Sequence, residues 1–212
     1  MQPFPRCAWL RAAALYLACL SPVQAGSTDN LVQSFFDDLY TLQADFHQEV
    51  RDGSNSVQQV SDGKVWIQRP GRFRWDYATP YRQQLVSDGE RLWSYDEDLE
   101  QATVEPVDAA LSSTPAMLLS GFRPLDEVMR WQETGTRDGR TWYRLDPKQQ
   151  DTAVEEVQIA FDAGQLAIIE VRDGFGNHTR IGFSDITRNQ SIDPDRFRIQ
   201  LPPGTDIIGD TP

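Results

Sequence analysis

The sequence predicts a mainly β protein, a single antiparallel sheet of about ten or eleven strands entered through one helix. Three observations carry that prediction. Apolar and polar residues alternate over most of the chain after residue 44, the period-2 pattern of strands with one covered face. Asp-Gly pairs at 88–89, 138–139 and 173–174 punctuate this alternation at hairpin spacing. Helical stretches do not alternate with the strands, which disfavours a parallel α/β sheet.

The first segment lies outside this fold. Arg6 and Arg11 give a basic start, Ala12 to Leu20 run without a charge, and Val23-Gln24-Ala25 offers small residues where a signal peptidase cuts. The apolar run is shorter than the ~20 residues a membrane-spanning helix needs. Residues 1–25 are therefore expected to be a cleaved signal peptide, and residues 26–212 a single exported domain. Cys7 and Cys19 both fall in the removed segment, so the mature chain has no disulfide and depends on burial and sheet pairing. Cys19 admits an alternative, lipidation after cleavage just before it. Against this, Tyr16 stands where such signals usually carry Leu.

The mature chain opens on an amphipathic helix capped by Thr28 or Asp29, with Leu31, Phe35, Leu39 and Leu42 on one stripe and Val32 and Phe36 beside it. In the strand that follows, Phe46, Gln48 and Val50 share one face and Asp45, His47 and Glu49 the other, before a turn at "RDGSN". Val57–Gln68 reads as a long strand with a bulge or kink at Asp62-Gly63. Within "VWIQRPGRFRWDY", parity puts Phe73, Trp75 and Tyr77 on one face and Arg72, Arg74 and Asp76 on the other. Arg69 stands apart, at the break made by Pro70-Gly71. "LVSDGERLWSY" is a hairpin on Asp88-Gly89, a second hairpin turns at Asp96–Asp98, and Trp93 and Tyr95 repeat the aromatic face next door.

Residues 106–122 break the rhythm. Asp108 and Thr114 are caps, Pro115 takes a first helical position, Ala116 to Leu119 are all apolar, and Gly121 ends the segment. A short helix that is apolar all round must be covered on most sides. Strands resume over 128–134, 141–146, 154–161, 166–172 and 179–183, and "IDPDRFRIQLPPGTDII" closes the chain as a tight turn, a short strand and a Pro-Gly exit.

Charge and chemistry narrow the function. Removing Arg6 and Arg11 leaves 18 basic against 32 acidic side chains, a net charge of −14, which repels phosphate backbones and anionic membranes. His47 and His178 lack a cysteine or second histidine at metal spacing, no serine stands in a nucleophile elbow, and no glycine-rich phosphate loop follows a strand. Neighbouring carboxylates such as Asp37-Asp38 and Glu155-Glu156 do not face each other as a glycosidase pair must. An enzyme is disfavoured. Three readings remain for the aromatic face: an ordinary core under a helix, a stacking surface for bases or sugars, or one wall of a cavity. Physics alone ranks the core first and the cavity second. In the cavity reading the 117–119 segment is a movable cover and Arg69 a rim residue whose guanidinium can reach carbonyls at a helix end.

The stretches "DFHQEV", "GKVWIQRPGRFRWDY", "QLVSDGERLWSYDEDLEQATV", "STPAMLL" and "DPDRFRIQLPPGTDI" resemble the LolA family of periplasmic outer-membrane lipoprotein carriers over essentially the whole mature chain. The resemblance implies an open, unclosed antiparallel β-barrel of about eleven strands enclosing a hydrophobic cavity, with an N-terminal helix and short lid helices. It implies a monomeric carrier that takes acylated lipoproteins from a LolCDE-type ABC transporter and hands them to a LolB-type receptor. It calls for no cofactor, metal, nucleic acid or stable membrane insertion. The family's rim arginine falls on Arg69, expected to hydrogen-bond lid backbone when the carrier is empty. The acyl-binding aromatic falls on Phe73, with Trp75 next along, Leu85 and Trp93 on the neighbouring strands, and the lid on Pro115, Met117, Leu118 and Leu119. Alternatives are an anchored LolB-like member, and a LolA-like carrier or sensor for another envelope lipid or glycolipid.

Overall fold

A computed structural model describes residues 30–107, 115–148 and 154–209. The expected signal peptide, both cysteines and the expected caps Thr28, Asp29, Asp108 and Thr114 lie outside the described residues. Helix α1 (Asn30–Asp37) leads into six strands, β1 (Thr41–Arg51), β2 (Val57–Gln68), β3 (Arg72–Thr79), β4 (Gln83–Asp88), β5 (Arg91–Asp96) and β6 (Gln101–Pro106). Two short helices, α2 (Pro115–Ser120) and α3 (Leu125–Val128), follow. Then come β7 (Met129–Arg137), β8 (Arg140–Pro147), β9 (Val154–Asp162), β10 (Gln165–Asp173) and β11 (His178–Arg188), a 3-10 turn at Pro194–Phe197, and β12 (Asp206–Gly209).

All twelve described strands form one sheet in the order β12-β6-β5-β4-β3-β2-β1-β11-β10-β9-β8-β7. Its two ends, β12 and β7, are not paired with each other, so the sheet stays open. It nevertheless curls. Phe73 and Trp75 of β3 and Tyr143 and Leu145 of β8, from opposite halves of the sheet, belong to one buried cluster with Val32, Phe35 and Phe36 of α1 and with Ala116, Leu119 and Leu125 of the short helices. That helix-covered side is the inner face.

Four expectations need correction. The first helix ends at Asp37, and Leu42 belongs to β1. Asp37-Asp38 is a weak place to continue a helix. The side chain of Asn189, far along the chain, accepts from the Tyr40 amide at 2.9 Å and donates to the Asp38 carbonyl at 2.7 Å, fixing the helix-to-strand turn. The closing strand follows the Pro203-Gly204 turn instead of preceding it, and it pairs with β6 in parallel, Ile207 opposite Ala102. The sheet is thus not wholly antiparallel. Helix α3, only four residues long, has no counterpart among the predicted elements. Trp93 and Tyr95 do not continue the aromatic face. Trp75 pairs with Leu85 and Leu85 with Ser94, so β5 turns Leu92 and Ser94 inward and Trp93 outward, opposite Val86 and Val104.

The expected irregularity at Asp62-Gly63 is present as a register shift between β2 and β3. Gly63 lies between Phe46 and Tyr77, whose rings meet over it at 5.2 Å, and a Cβ there would fall 2.0 Å from the Asp76 carbonyl oxygen. The outer face of the first half is covered by the C-terminal segment, where Phe197 is buried and the Arg196 guanidinium sits 4.6 Å from the Trp66 ring.

Candidate functional site

The site is built on β3. Strand parity, and pairing with β2 and β4, turn Phe73, Trp75 and Tyr77 toward the helices. Phe73 and Trp75 are 1% and 2% exposed, and burial of one such side chain is worth roughly 1.5–3 kcal/mol. Trp75 is wedged between Phe46 at 4.9 Å and Phe183 at 6.2 Å. Leu85 is partly buried against the same cluster. Tyr77 donates its hydroxyl to the Gln48 side chain at 3.3 Å, and burial pushes its pKa up to about 12.

Helix α2 covers this face. Ala116 and Leu119 are buried, Leu118 packs partly buried on the cluster, and Pro115 is half-buried at the first helical position. Met117 is helical, but its side chain lies outside the described residues. Six residues cannot hold a helix on their own, so packing keeps α2 in place. These side chains cover the inner face and leave Phe73 and Trp75 buried among them. A cleft of about 720 Å³ is lined by residues that include Arg140, Asp162, Leu166, Arg180, Phe183 and Asp185, so it reaches Phe183 and Leu166 of the inner cluster. It adjoins the place where the β10–β11 pairing stops at Ile168–Gly182.

Arg69, at the end of β2, ties α1 to the edge of this face. Its Nη1 donates to the Phe36 carbonyl and, at 3.4 Å, to the Leu39 carbonyl, and its guanidinium stands 5.9 Å from the Phe36 ring. These carbonyls are the unpaired ones at a helix C-terminus, where a cation is favoured. Burial lowers the Arg69 pKa and Asp37 raises it again, yet a guanidinium stays charged. The lid helix reaches the same spot through its end: a Cβ on Gly121, at φ +64°, would fall 1.9 Å from Arg69 Nε. One residue beyond the arginine's proline, the Gly71 amide donates to the Ser120 carbonyl at 2.9 Å, and the Gly71 carbonyl accepts from the buried Ser87 hydroxyl at 2.8 Å. Arg69 and Gly71 thus join α1, α2 and β4.

Of the predicted site residues, the structure gathers Arg69, Phe73, Trp75, Leu85, Pro115, Leu118 and Leu119 on or beside one face and sends Trp93 to the other. Sequence reasoning missed Phe46, Phe183 and Phe36, which complete the aromatic surround, and Gly121 and Ser120, which meet the arginine loop. The face of Phe46 was legible, but its neighbours depend on pairings with β2 and β11 that no local pattern encodes.

The comparisons with known proteins point one way. The family model described as "Outer membrane lipoprotein carrier protein LolA" matches residues 37–200. An outer-membrane lipoprotein carrier protein of Methylococcus capsulatus is 42% identical over 179 residues, 84% of this chain and 86% of that one. Another, of Methylobacillus flagellatus, is 36% identical over 204 residues, 95% and 99% of the two chains. The fold is also similar to that of an uncharacterized conserved protein of Thermus thermophilus, with a TM-score of 0.54 at 10% identity, covering 84% of this chain and 96% of that one.

Proposed function

This chain belongs to the LolA family of outer-membrane lipoprotein carriers, and from that premise we propose how it holds and releases its cargo. The protein is a non-enzymatic carrier of lipoproteins, in a family of periplasmic carriers, and no described helix is long and apolar enough to cross a membrane. Its N-terminal segment is a signal peptide cut after Ala25, and residues 26–212 form the single carrier domain. Acyl chains of the cargo occupy the inner face between Phe73, Trp75, Leu85 and the lid residues Pro115, Met117, Leu118 and Leu119. They enter by displacing α2. A LolCDE-type ABC transporter supplies the lipoprotein and a LolB-type receptor accepts it.

The observation that carries this reading is an aromatic face, with Phe73 and Trp75 buried and Tyr77 partly so, packed with a helix too short to be stable alone. Each acyl methylene transferred from water is worth roughly 0.8 kcal/mol, so several chains cannot cross an aqueous space unaccompanied at a useful rate. A lid that closes on the same face competes with the cargo and lowers net affinity, which lets a receptor win. Arg69 is the latch of that closed state.

The test is incubation of the mature protein with inner-membrane vesicles that carry the transporter and a labelled triacylated lipoprotein. A soluble one-to-one complex, lost when the acyl chains are absent, is expected. Label that stays in the vesicles despite a working transporter contradicts the proposal.

A further inference from the structure

Among the described residues, two buried polar atoms on the inner face lack a hydrogen-bond partner, Arg188 Nε beside the Phe35 ring and one in the aromatic centre of the site. The Trp75 indole Nε1 is buried and has no hydrogen-bond acceptor among the described residues. An N–H hidden in this way costs about 1–3 kcal/mol, so native interiors hold few of them. The indole has a single polar atom and cannot satisfy it by turning, because Phe46 at 4.9 Å and Phe183 at 6.2 Å confine the ring. The polar pair further along the same face offers no help, since the Tyr77 hydroxyl is already bonded to Gln48. Trp142 also hides an unpartnered indole N–H, but it lies in a separate small cluster, with the Arg137 guanidinium 4.1 Å from its ring, and faces no lid.

We propose, resting on the carrier reading above, that the Trp75 indole N–H is the donor that recognises a carbonyl oxygen of the cargo's acyl linkage. The chemistry selects that class of acceptor. An indole donates and cannot accept, so its partner must bring a lone pair. The rings packed on Trp75 are those of Phe46 and Phe183, while Arg69 lies at the rim and the Arg188 guanidinium stands over the Phe35 ring, so a neutral oxygen fits beside the indole. An acyl chain carries one such oxygen at its head, the ester or amide carbonyl, which accepts far better than an ether. The unmet donor also raises the energy of the empty closed state, and loading relieves it. Trp75 then reads the linkage while Phe73 and the lid read only apolar bulk.

The experiment compares two synthetic S-glyceryl-cysteine peptides bound to the mature carrier, one with two ester-linked palmitoyl chains on the glyceryl group and one with two ether-linked hexadecyl chains. The native protein should prefer the ester form by about five- to thirty-fold, the range a 1–2 kcal/mol hydrogen bond sets. In Trp75→Phe, which keeps an aromatic ring and removes the donor, the ratio should fall to about one. A second readout needs no variant: the indole N–H resonance of native Trp75 should move to a hydrogen-bonded position on loading the ester peptide and stay put with the ether. Equal affinities in the native protein, or an unmoved resonance in the ester complex, overturns the assignment. Failure of the native protein to bind either peptide overturns the carrier reading itself.

Discussion

At the residue scale, a few side chains take opposite duties from their surroundings. Arg69 donates to the Phe36 and Leu39 carbonyls and abuts Gly121, the contacts through which we propose it holds the closed state. Arg69→Leu keeps the stem and loses the donors, and a hydrogen bond to a charged group is worth about 1.5–3 kcal/mol. Because the group is only half-buried, the expected effect is nearer tenfold, seen as slower handover of bound lipoprotein to a LolB-type acceptor. Release at the native rate would remove Arg69 from its role as latch. Tyr77 makes a separate prediction. Its folded-state pKa of about 12 exceeds the ordinary value of 10.0, so burial favours the protonated phenol. Its contribution is complete below pH 10 and is lost as pH rises toward 12, at up to ~1.4 kcal/mol per pH unit. Denaturant titrations of the native protein should show a steeper loss over that window than those of Tyr77→Phe. Parallel curves would place Tyr77 in a wetter site than the structure gives it.

At the scale of elements, α2 is a lid whose end matters more than its length. Gly121 has φ +64°, a conformation that side chains other than glycine adopt only with strain, and it abuts the Arg69 guanidinium. Gly121→Ala should cost about 1–3 kcal/mol and should raise binding of a hydrophobic dye, because the latch cannot seat. Gly164→Ala is the control: φ is +82° there, with nothing within 4 Å of the added carbon, so stability should fall without dye binding. Equal dye signals from the two variants would reduce the Gly121 effect to backbone strain. The elements themselves were largely legible. Strand limits for β2, the hairpin at Asp88-Gly89 and the helix beginning at Pro115 follow from parity, turn chemistry and the proline preference for first helical positions. What stayed hidden depends on distant partners. Leu42 fits a helical stripe until Asn189 ends the helix before it, and Trp93 fits an inward face until the β4–β5 register turns it out. The strand at Asp206–Gly209 has a parallel partner that no hairpin signal can announce.

At the scale of the whole molecule, the twelve described strands curl without closing, and the described helices α1, α2 and α3 pack side chains into the concavity. In the proposed mechanism, carriage is a contest for a single face between the side chains that cover it and the acyl chains of the cargo. The family resemblance in the motifs points to such a face and to an arginine bonded to lid backbone; that Arg69 instead donates to carbonyls at the end of α1 is a property of packing rather than of pattern. The most direct test places the photo-crosslinking residue p-benzoylphenylalanine at position 73 and illuminates the carrier after loading with a triacylated lipoprotein labelled in its acyl chains. A lid-covered acyl site predicts crosslinks from position 73 to the acyl label, absent with the unacylated protein and absent from the same probe placed at outward-facing position 93. Crosslinks to the polypeptide of the cargo but not to its acyl chains, or equal labelling at both positions, would contradict it.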